Sequence, residues 1–160
     1  MPRPPAPHDV RMRKLLADLS PGPSWPAGFH IRSFVPSDAL ALHTLLNQVF
    51  QDGSDGPFES WWPRISGDSE FDPALCFLVS GPGETLVGAA LCWSSAFVKD
   101  LAVRQDTRRL GLGRALMLHV FSEFRQRGAT HVDLKTNLVS NAAAMRLYRD
   151  LSMVKVDWEG

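Results

Sequence analysis

The stretch RRLGLGRALM, which begins at Arg108, constrains this chain more than any other part of it. It follows a strand-like run, FVKDLAV, and opens a helical pattern with two glycines, Gly111 and Gly113. The first amides of a helix have no partner within the helix, and the helix dipole adds positive charge there. Glycines let an anion approach this backbone, and Arg108, Arg109 and Arg114 add forked donors. The stretch predicts an anion cradle; the alternative is a tight turn with solvated arginines.

Two common phosphate motifs do not fit this turn. A dinucleotide fingerprint needs a third glycine where the chain has Leu116, and a P-loop needs Gly-Lys followed by Ser or Thr. An anion site here therefore belongs to another class of strand–turn–helix unit.

Hydrophobic periodicity predicts the elements around the turn. Strand patterns occur in FHIRSF, ALCFLVS, TLVGAALCWS, FVKDLAV, HVDLKTN and MVKVDW. Helical patterns occur in SDALALHTLLNQVF, where Ser37 is a candidate cap, around FESWWPRI, in the run from Leu112 to Gly128, and in NAAAMRLYRDL. Antiparallel strands followed by strand–helix–strand–helix–strand predict an α/β (α+β) sheet with helices on its faces.

The first 28 residues form a proline-rich extension in this interpretation, and residues 29–160 form the main domain. Seven of the twelve prolines lie within the first 26 residues. Between them, HDVRMRKLLADLS predicts one short helix capped by Asp9.

Composition narrows the class of function. The 160 residues carry no net charge, which gives no support for a general affinity for nucleic acid or anionic membranes. Residues 29–98 hold two basic and eight acidic side chains, whereas residues 99–160 hold eleven basic and seven acidic ones. Cys76 and Cys92 lie in apolar runs and form no CxxC pair, so buried free thiols are expected rather than a metal site or disulfide. No apolar run approaches the length of a membrane span, and a cytoplasmic protein is expected.

A second motif follows the loop helix at a fixed separation, Asn141-x-x-Ala144-x-x-Leu147-Tyr148. With the glycine turn before it, the region 97–153 resembles the GNAT superfamily of N-acetyltransferases. The resemblance implies a mixed central sheet flanked by helices, with central strands that splay apart. It also implies that the turn holds the pyrophosphate of acetyl-CoA, with no metal. The residues that the resemblance assigns to the cofactor are Leu101, Ala102, Val103, Arg108, Arg109, Leu110, Gly111, Leu112, Gly113, Arg114, Asn137, Asn141, Ala144 and Tyr148.

The resemblance further implies direct attack of an amine on the thioester. Tyr148, the single tyrosine, is the expected acid for the leaving thiolate, because a phenol stays protonated at neutral pH. Asp100 is the expected base, although Lys99 beside it would lower the pKa of its carboxyl. Glu59, Glu70, His43 and His119 are rival bases. A bulge in FVKDLAV is expected to free the backbone of residues 101–103 for the acyl group and the pantetheine amides.

The acidic segment 52–72 suggests the acceptor. Glu59, Trp61 and Trp62 combine a carboxylate with tryptophan faces, which suits a small cationic primary amine. Two alternatives stay open, namely transfer of a different acyl group and a CoA-binding sensor or scaffold without turnover.

Two features depart from the family pattern. The helix of Tyr148 is followed by Ser152-Met153 where the family usually has Gly-Phe, and the chain reaches Gly160 after one short strand where the family commonly adds another. The sheet edge is therefore expected to be open, to be covered by a second subunit in a homodimer, or to be covered by the N-terminal extension.

Overall fold

A computed structural model describes residues 8–17, 21–138 and 141–157. The strands are β1 (Asp9–Leu15), β2 (His30–Ser33), β3 (Phe71–Ser80), β4 (Leu86–Trp93), β5 (Phe97–Val103), β6 (His131–Asn137) and β7 (Val154–Val156). The helices are α1 (Ala39–Phe50), α2 (Phe58–Ser66), α3 (Leu112–Gln126) and α4 (Ala142–Asp150). Every strand and helix predicted from residue 29 onward is present, so the α/β (α+β) prediction is confirmed.

The seven strands form one mixed sheet in the order β2-β3-β4-β5-β6-β1-β7. All neighbouring pairs are antiparallel except β5 and β6, which are parallel and are connected through α3. The two faces of the sheet are covered by different helices, as the alternation along β3 shows. Leu75, Phe77 and Val79 pack in the core with α3 and α4, whereas Cys76 and Leu78 pack with α1 and α2. β3 is apolar on both sides because both of its faces are buried.

The short helix predicted near the N-terminus is wrong, because residues 9–15 form β1 in the interior of the sheet. β1 pairs with β6 along its whole length and with β7 on its other side. Val10 and Met12 are buried beneath α3 and α4, while Arg11 and Arg13 point to the opposite face. Their Nε atoms donate to the buried Asp133 carboxylate over 2.7 and 2.8 Å. The alternation of a strand therefore prevails over the helical pattern, because the strand has partners on both sides.

The position of β1 also bears on the expected sheet edge. β1 lies between β6 and β7, so the N-terminal segment covers the edge of β6, while β7 is the last strand of the described sheet. Coverage of the β7 edge by a second subunit stays a prediction.

The start of α1 differs from the expected cap. Ser37 lies in a single 3-10 turn before the helix and makes no capping hydrogen bond. The neighbouring Asp38 carboxylate instead accepts hydrogen bonds from the Val35 amide and from the Arg32 guanidinium. This ion pair connects the end of β2 to the start of α1.

Candidate active site

The turn before α3 contains two residues in the left-handed backbone region. Arg109 and Gly111 both have positive φ angles, 72° and 81°, and the helix begins at Leu112. A β-carbon on Gly113 would lie 3.4 Å from the Leu147 side chain of α4, an ordinary van der Waals distance, so α3 and α4 are in close contact here. The amides of the first helical turn have no partner within the helix and are available to an anion.

A groove of about 460 Å³ begins at this turn. Its lining contains most of the predicted cofactor residues: Leu101, Val103, Arg108, Arg109, Gly111, Leu112, Gly113, Arg114, Asn141, Ala144 and Tyr148. The groove thus brings residues from distant parts of the sequence together around the N-terminus of α3. The Arg108 Nε donates to the Val103 carbonyl oxygen over 3.2 Å, which holds the arginine at the end of β5.

Three predicted cofactor residues lie outside the groove lining. The Ala102 side chain is buried in the core with α1 and α2, and Leu110 is exposed to solvent. The Asn137 side-chain amide donates to the Asp9 carboxylate of β1 over 3.0 Å. Asn141 occupies the cap position of α4 but makes no side-chain cap hydrogen bond, so its amide is available to the groove it lines.

The groove also contains residues that the sequence analysis missed. Val49 and Phe50 come from the C-terminal end of α1, while Ala143 and Leu147 come from α4. Leu147 belongs to the quoted motif and was detectable there. Val49 and Phe50 continue the apolar stripe of α1 and carry no signal that distinguishes a groove from a core.

The central strands splay as expected. β5 and β6 pair only at Phe97–Asp133 and Val98–Leu134, and the remainder of the two strands has no shared ladder. The backbone of residues 101–103 is therefore paired with β4 on one edge and open on the other. The splay, rather than a bulge among these residues, frees that edge.

The bulge expected in FVKDLAV is present, and it lies at Lys99, before residues 101–103. Leu91 pairs with Asp100 and Cys92 with Val98, which leaves Lys99 as the extra residue of β5. Val98 packs in the core with α3 and α4, so regular alternation would point Asp100 to the same face. The additional residue reverses the alternation, and Asp100 shares the α1/α2 face with Ala102.

Asp100 lies in a charged group beside the groove rather than in its lining. Its Oδ2 accepts from the Lys99 Nζ over 2.8 Å, and the same Nζ lies 3.8 Å from Asp55 Oδ1. Burial raises the pKa of the Asp100 carboxyl; Lys99 opposes this shift, while Asp55 and Asp52 add to it, and the pKa stays above its ordinary value. A carboxyl with a raised pKa is better suited to accept a proton near neutral pH than an exposed aspartate.

Tyr148 lies where α4 meets the groove. Its side chain is buried, with 6% of the residue exposed, and burial raises the pKa of its hydroxyl to about 12. The phenol is therefore protonated throughout the neutral range and can only donate a proton there.

The predicted acceptor residues are not brought together as expected. Trp61 is fully buried, so the prediction that its face contacts a substrate is wrong. It packs against His43 and Trp62 in the core beneath α1. Trp62 is partly exposed and Glu59 is exposed on the first turn of α2, and neither lines the groove.

None of the rival bases is part of the groove lining. The buried His43 lies with its Nε2 2.8 Å from the Gly56 carbonyl oxygen, and Glu70 accepts from the Ser95 amide. His119 makes an edge-to-face contact with Phe77, and burial lowers the pKa of its imidazole.

Both cysteines, Cys76 and Cys92, are buried free thiols, as predicted, and burial raises the pKa of each. Within the described ranges, no three or more His, Cys, Asp or Glu side chains cluster as metal ligands would. None of the helices in that part of the chain has the length and hydropathy of a membrane span.

Comparison with known proteins gives a consistent result. The family model described as the Acetyltransferase (GNAT) family matches residues 40–153. Mycothiol acetyltransferase of Thermobispora bispora is 32% identical over 163 residues, which cover 91% of this chain and 53% of that protein. Streptothricin acetyltransferase of Streptomyces lavendulae is 31% identical, over 76% of this chain and 61% of that protein.

A solved structure has the same architecture. The GCN5-related N-acetyltransferase of Sphaerobacter thermophilus superimposes with a TM-score of 0.81 and 28% identity, over 92% of this chain and 48% of that one. The chain thus spans about half the length of this protein and of the Thermobispora relative.

Proposed function

Because this chain belongs to the acetyltransferase (GNAT) family, we propose that it transfers an acetyl group from acetyl-CoA to a primary amine of a small cationic molecule. The observation that carries the proposal is the groove, which joins the glycine turn of α3 to Tyr148 past an open strand edge. The Thermobispora and Streptomyces relatives are named for mycothiol and streptothricin, which agrees with a small-molecule acceptor.

The charge of the groove and its open strand edge support acetyl-CoA as the ligand. Arg108, Arg109 and Arg114 lie around the first turn of α3, where the pyrophosphate would accept from free amides and guanidinium groups. The open edge of residues 101–103 offers unpaired backbone groups to an extended arm with amide groups. Acetyl-CoA would supply an activated acetyl group, and the residues of the chain would position it and move protons.

Two side chains would move the protons of the reaction. The amine nitrogen forms a bond to the acetyl carbon while the carbon–sulfur bond breaks, so the amine loses a proton and the sulfur gains one. Asp100 would accept the proton of the amine, directly or through water, and the Tyr148 hydroxyl would donate one to the sulfur. Buried Cys76 and Cys92, whose thiol pKa values are raised, offer no thiolate for a covalent route.

The preference for a cationic acceptor rests on the carboxylates beside the groove. Asp52 and Asp55 act on Asp100 and raise the pKa of its carboxyl, while the Lys99 ammonium lies 2.8 Å from Asp100 and 3.8 Å from Asp55 and balances one charge. An acceptor with one or more ammonium groups would be attracted to the remaining negative charge. A homodimer and a cytoplasmic location remain predictions.

Thermal unfolding with and without acetyl-CoA tests the proposal. A ligand at about 100 times its dissociation constant adds about 2.7 kcal/mol to the free energy of unfolding, which raises Tm measurably. The combined variant Arg108→Ala, Gly111→Ala should lose most of this ligand-dependent shift, each protein being compared with its own ligand-free state. Arg149→Ala, an arginine on α4 outside the groove lining, is the matched control and should retain the shift.

The outcomes separate the alternatives. No shift in the wild-type protein would contradict the acetyl-CoA site. A shift without acetylation of any amine in a broad screen would favour a CoA-binding sensor. Faster turnover with a longer acyl-CoA than with acetyl-CoA would favour transfer of another acyl group.

A further inference from the structure

One side chain of β6 has a buried polar atom without a partner. Thr136 is 4% exposed, and its hydroxyl makes no hydrogen bond to any of the described residues. Leaving a buried hydroxyl unpaired destabilises the folded protein, and a valine of the same shape would avoid that cost. A threonine in this position therefore calls for a partner outside the described residues.

The register of the sheet places Thr136 at the opening between the central strands. Leu134 is the last residue of β6 that pairs with β5, and Thr136 lies two residues beyond it. It shares a face with Leu134 and with its cross-strand neighbour Val10, both of which pack in the core that contains Tyr148. The hydroxyl is thus on the α3/α4 side of the splay, beneath the helix that carries the proposed acid.

The surroundings of this hydroxyl are otherwise apolar. The core on that face holds Val10, Leu134 and Met145 together with the Tyr148 ring. The second unpaired atom of the described residues, Trp61 Nε1, lies in the other core beneath α1, away from the groove lining. Thr136 does not line the groove, but of these two atoms its hydroxyl is the one on the strand that borders the opening.

We infer that the Thr136 hydroxyl binds an amide group of the pantetheine arm of CoA. The inference rests on the proposed function, because the arm must enter the opening between β5 and β6. The inference requires a change of the χ1 rotamer, from one staggered position to another, that turns the hydroxyl towards the opening. The hydroxyl can donate to an amide carbonyl or accept from an amide N–H. Thr136 is accordingly a positioning residue for the arm and takes no part in proton transfer.

The test compares the variants Thr136→Val and Thr136→Ser. Titration calorimetry measures the affinity of each variant for CoA and for ADP, and thermal unfolding measures the Tm of each without ligand. ADP carries the pyrophosphate but lacks the pantetheine arm. The valine variant should bind CoA about 3- to 10-fold more weakly, the effect of one lost hydrogen bond, and bind ADP as the wild type does. Its ligand-free Tm should be equal to or higher than that of the wild type. The serine variant should retain CoA affinity. Thr44→Val on α1, outside the groove lining, is the control for loss of a hydroxyl and should bind CoA as the wild type does.

Different results would overturn the inference and the proposed function separately. If the wild type binds CoA and Thr136→Val binds it equally well, the hydroxyl does not contact the arm. If Thr136→Val lowers the ligand-free Tm by several degrees, the hydroxyl already has a partner, such as a buried water, and the inference fails. If the wild type binds neither CoA nor ADP, the proposed function fails and the inference fails with it.

Discussion

The two ends of the proposed site, one for the cofactor and one for the acceptor, are built in different ways. At the proposed cofactor end, the glycine turn and the first residues of α3 are contiguous in the chain, and α4 adds Asn141 and Ala144 from one short helix. At the proposed acceptor end, α1 contributes Val49 and Phe50 to the groove lining, while Asp55 of the loop after α1 and Asp100 of β5 lie in the charged group beside the groove. One end depends on backbone groups at a helix terminus, and the other depends on side chains brought together by packing. Recognition by backbone leaves a local sequence pattern, whereas recognition by packed side chains does not.

The charges of the two ends differ in the same way. Arg109 and Arg114 surround the cofactor end, whereas the acceptor end combines Asp55 and Asp100 with Lys99. If the two ends act independently, substitutions at the acceptor end should change turnover and leave CoA binding unchanged.

The largest effect is expected for Tyr148→Phe, where the two ends meet. Loss of the hydroxyl should lower kcat by about 10³-fold, because the other polar side chains lining the described part of the groove are arginines and one asparagine, which are poor proton donors. The Kd for CoA should be nearly unchanged, since the aromatic ring is retained. Single-turnover acetylation and calorimetry measure the two quantities. A decrease in kcat of less than about tenfold would make Tyr148 a core residue rather than the acid.

A smaller effect is expected for Asp100→Asn. The substitution should lower kcat/KM by about 10²-fold, since water can replace part of the function of a general base. CoA affinity should be retained, and Asp106→Asn on the surface turn after β5 is the matched control. A large loss of CoA binding in Asp100→Asn would show that the two ends are not independent.

The smallest effect is expected for Lys99→Met, and it concerns pH. Lys99 lowers the pKa of Asp100 against the effect of burial, so removing its ammonium should raise that pKa further. The acid limb of the kcat/KM profile should then move to higher pH, and kcat/KM measured on that limb should fall by less than about tenfold. Lys135→Met, whose ammonium lies near Asp9, is the control. A displacement of the limb to lower pH would exclude Asp100 as the titrating base.

The same carboxyl has a consequence for stability. The folded pKa of Asp100 lies above its unfolded value, so the native state binds more protons between the two. The contribution of Asp100 to the free energy of unfolding is therefore greatest below the unfolded pKa. It is lost as the pH rises through the folded pKa.

The sequence-based predictions were accurate where they rested on local patterns and failed where the outcome depended on packing. The elements from β2 to β7 were predictable because each has an unbroken periodicity bounded by glycine, proline or polar turns. β1 was mispredicted because HDVRMRKLLADLS is compatible with both a helical and a strand period. The strand is favoured by hydrogen bonds of Arg11 and Arg13 to Asp133, which lies about 120 residues away in the sequence. Trp61 was assigned to the acceptor site for its aromatic face, but its burial depends on how α2 packs against α1.

Local backbone chemistry and short-range periodicity are present in the sequence itself. They suffice to predict the order of elements from residue 29 onward and the family, and to propose the anion cradle. The location of β1, the face of Asp100 and the orphaned hydroxyl of Thr136 became known only from the folded molecule. Each of these depends on which residues from distant parts of the chain become neighbours. A bulge of one residue at Lys99 reverses the direction of Asp100, and no local pattern specifies that bulge.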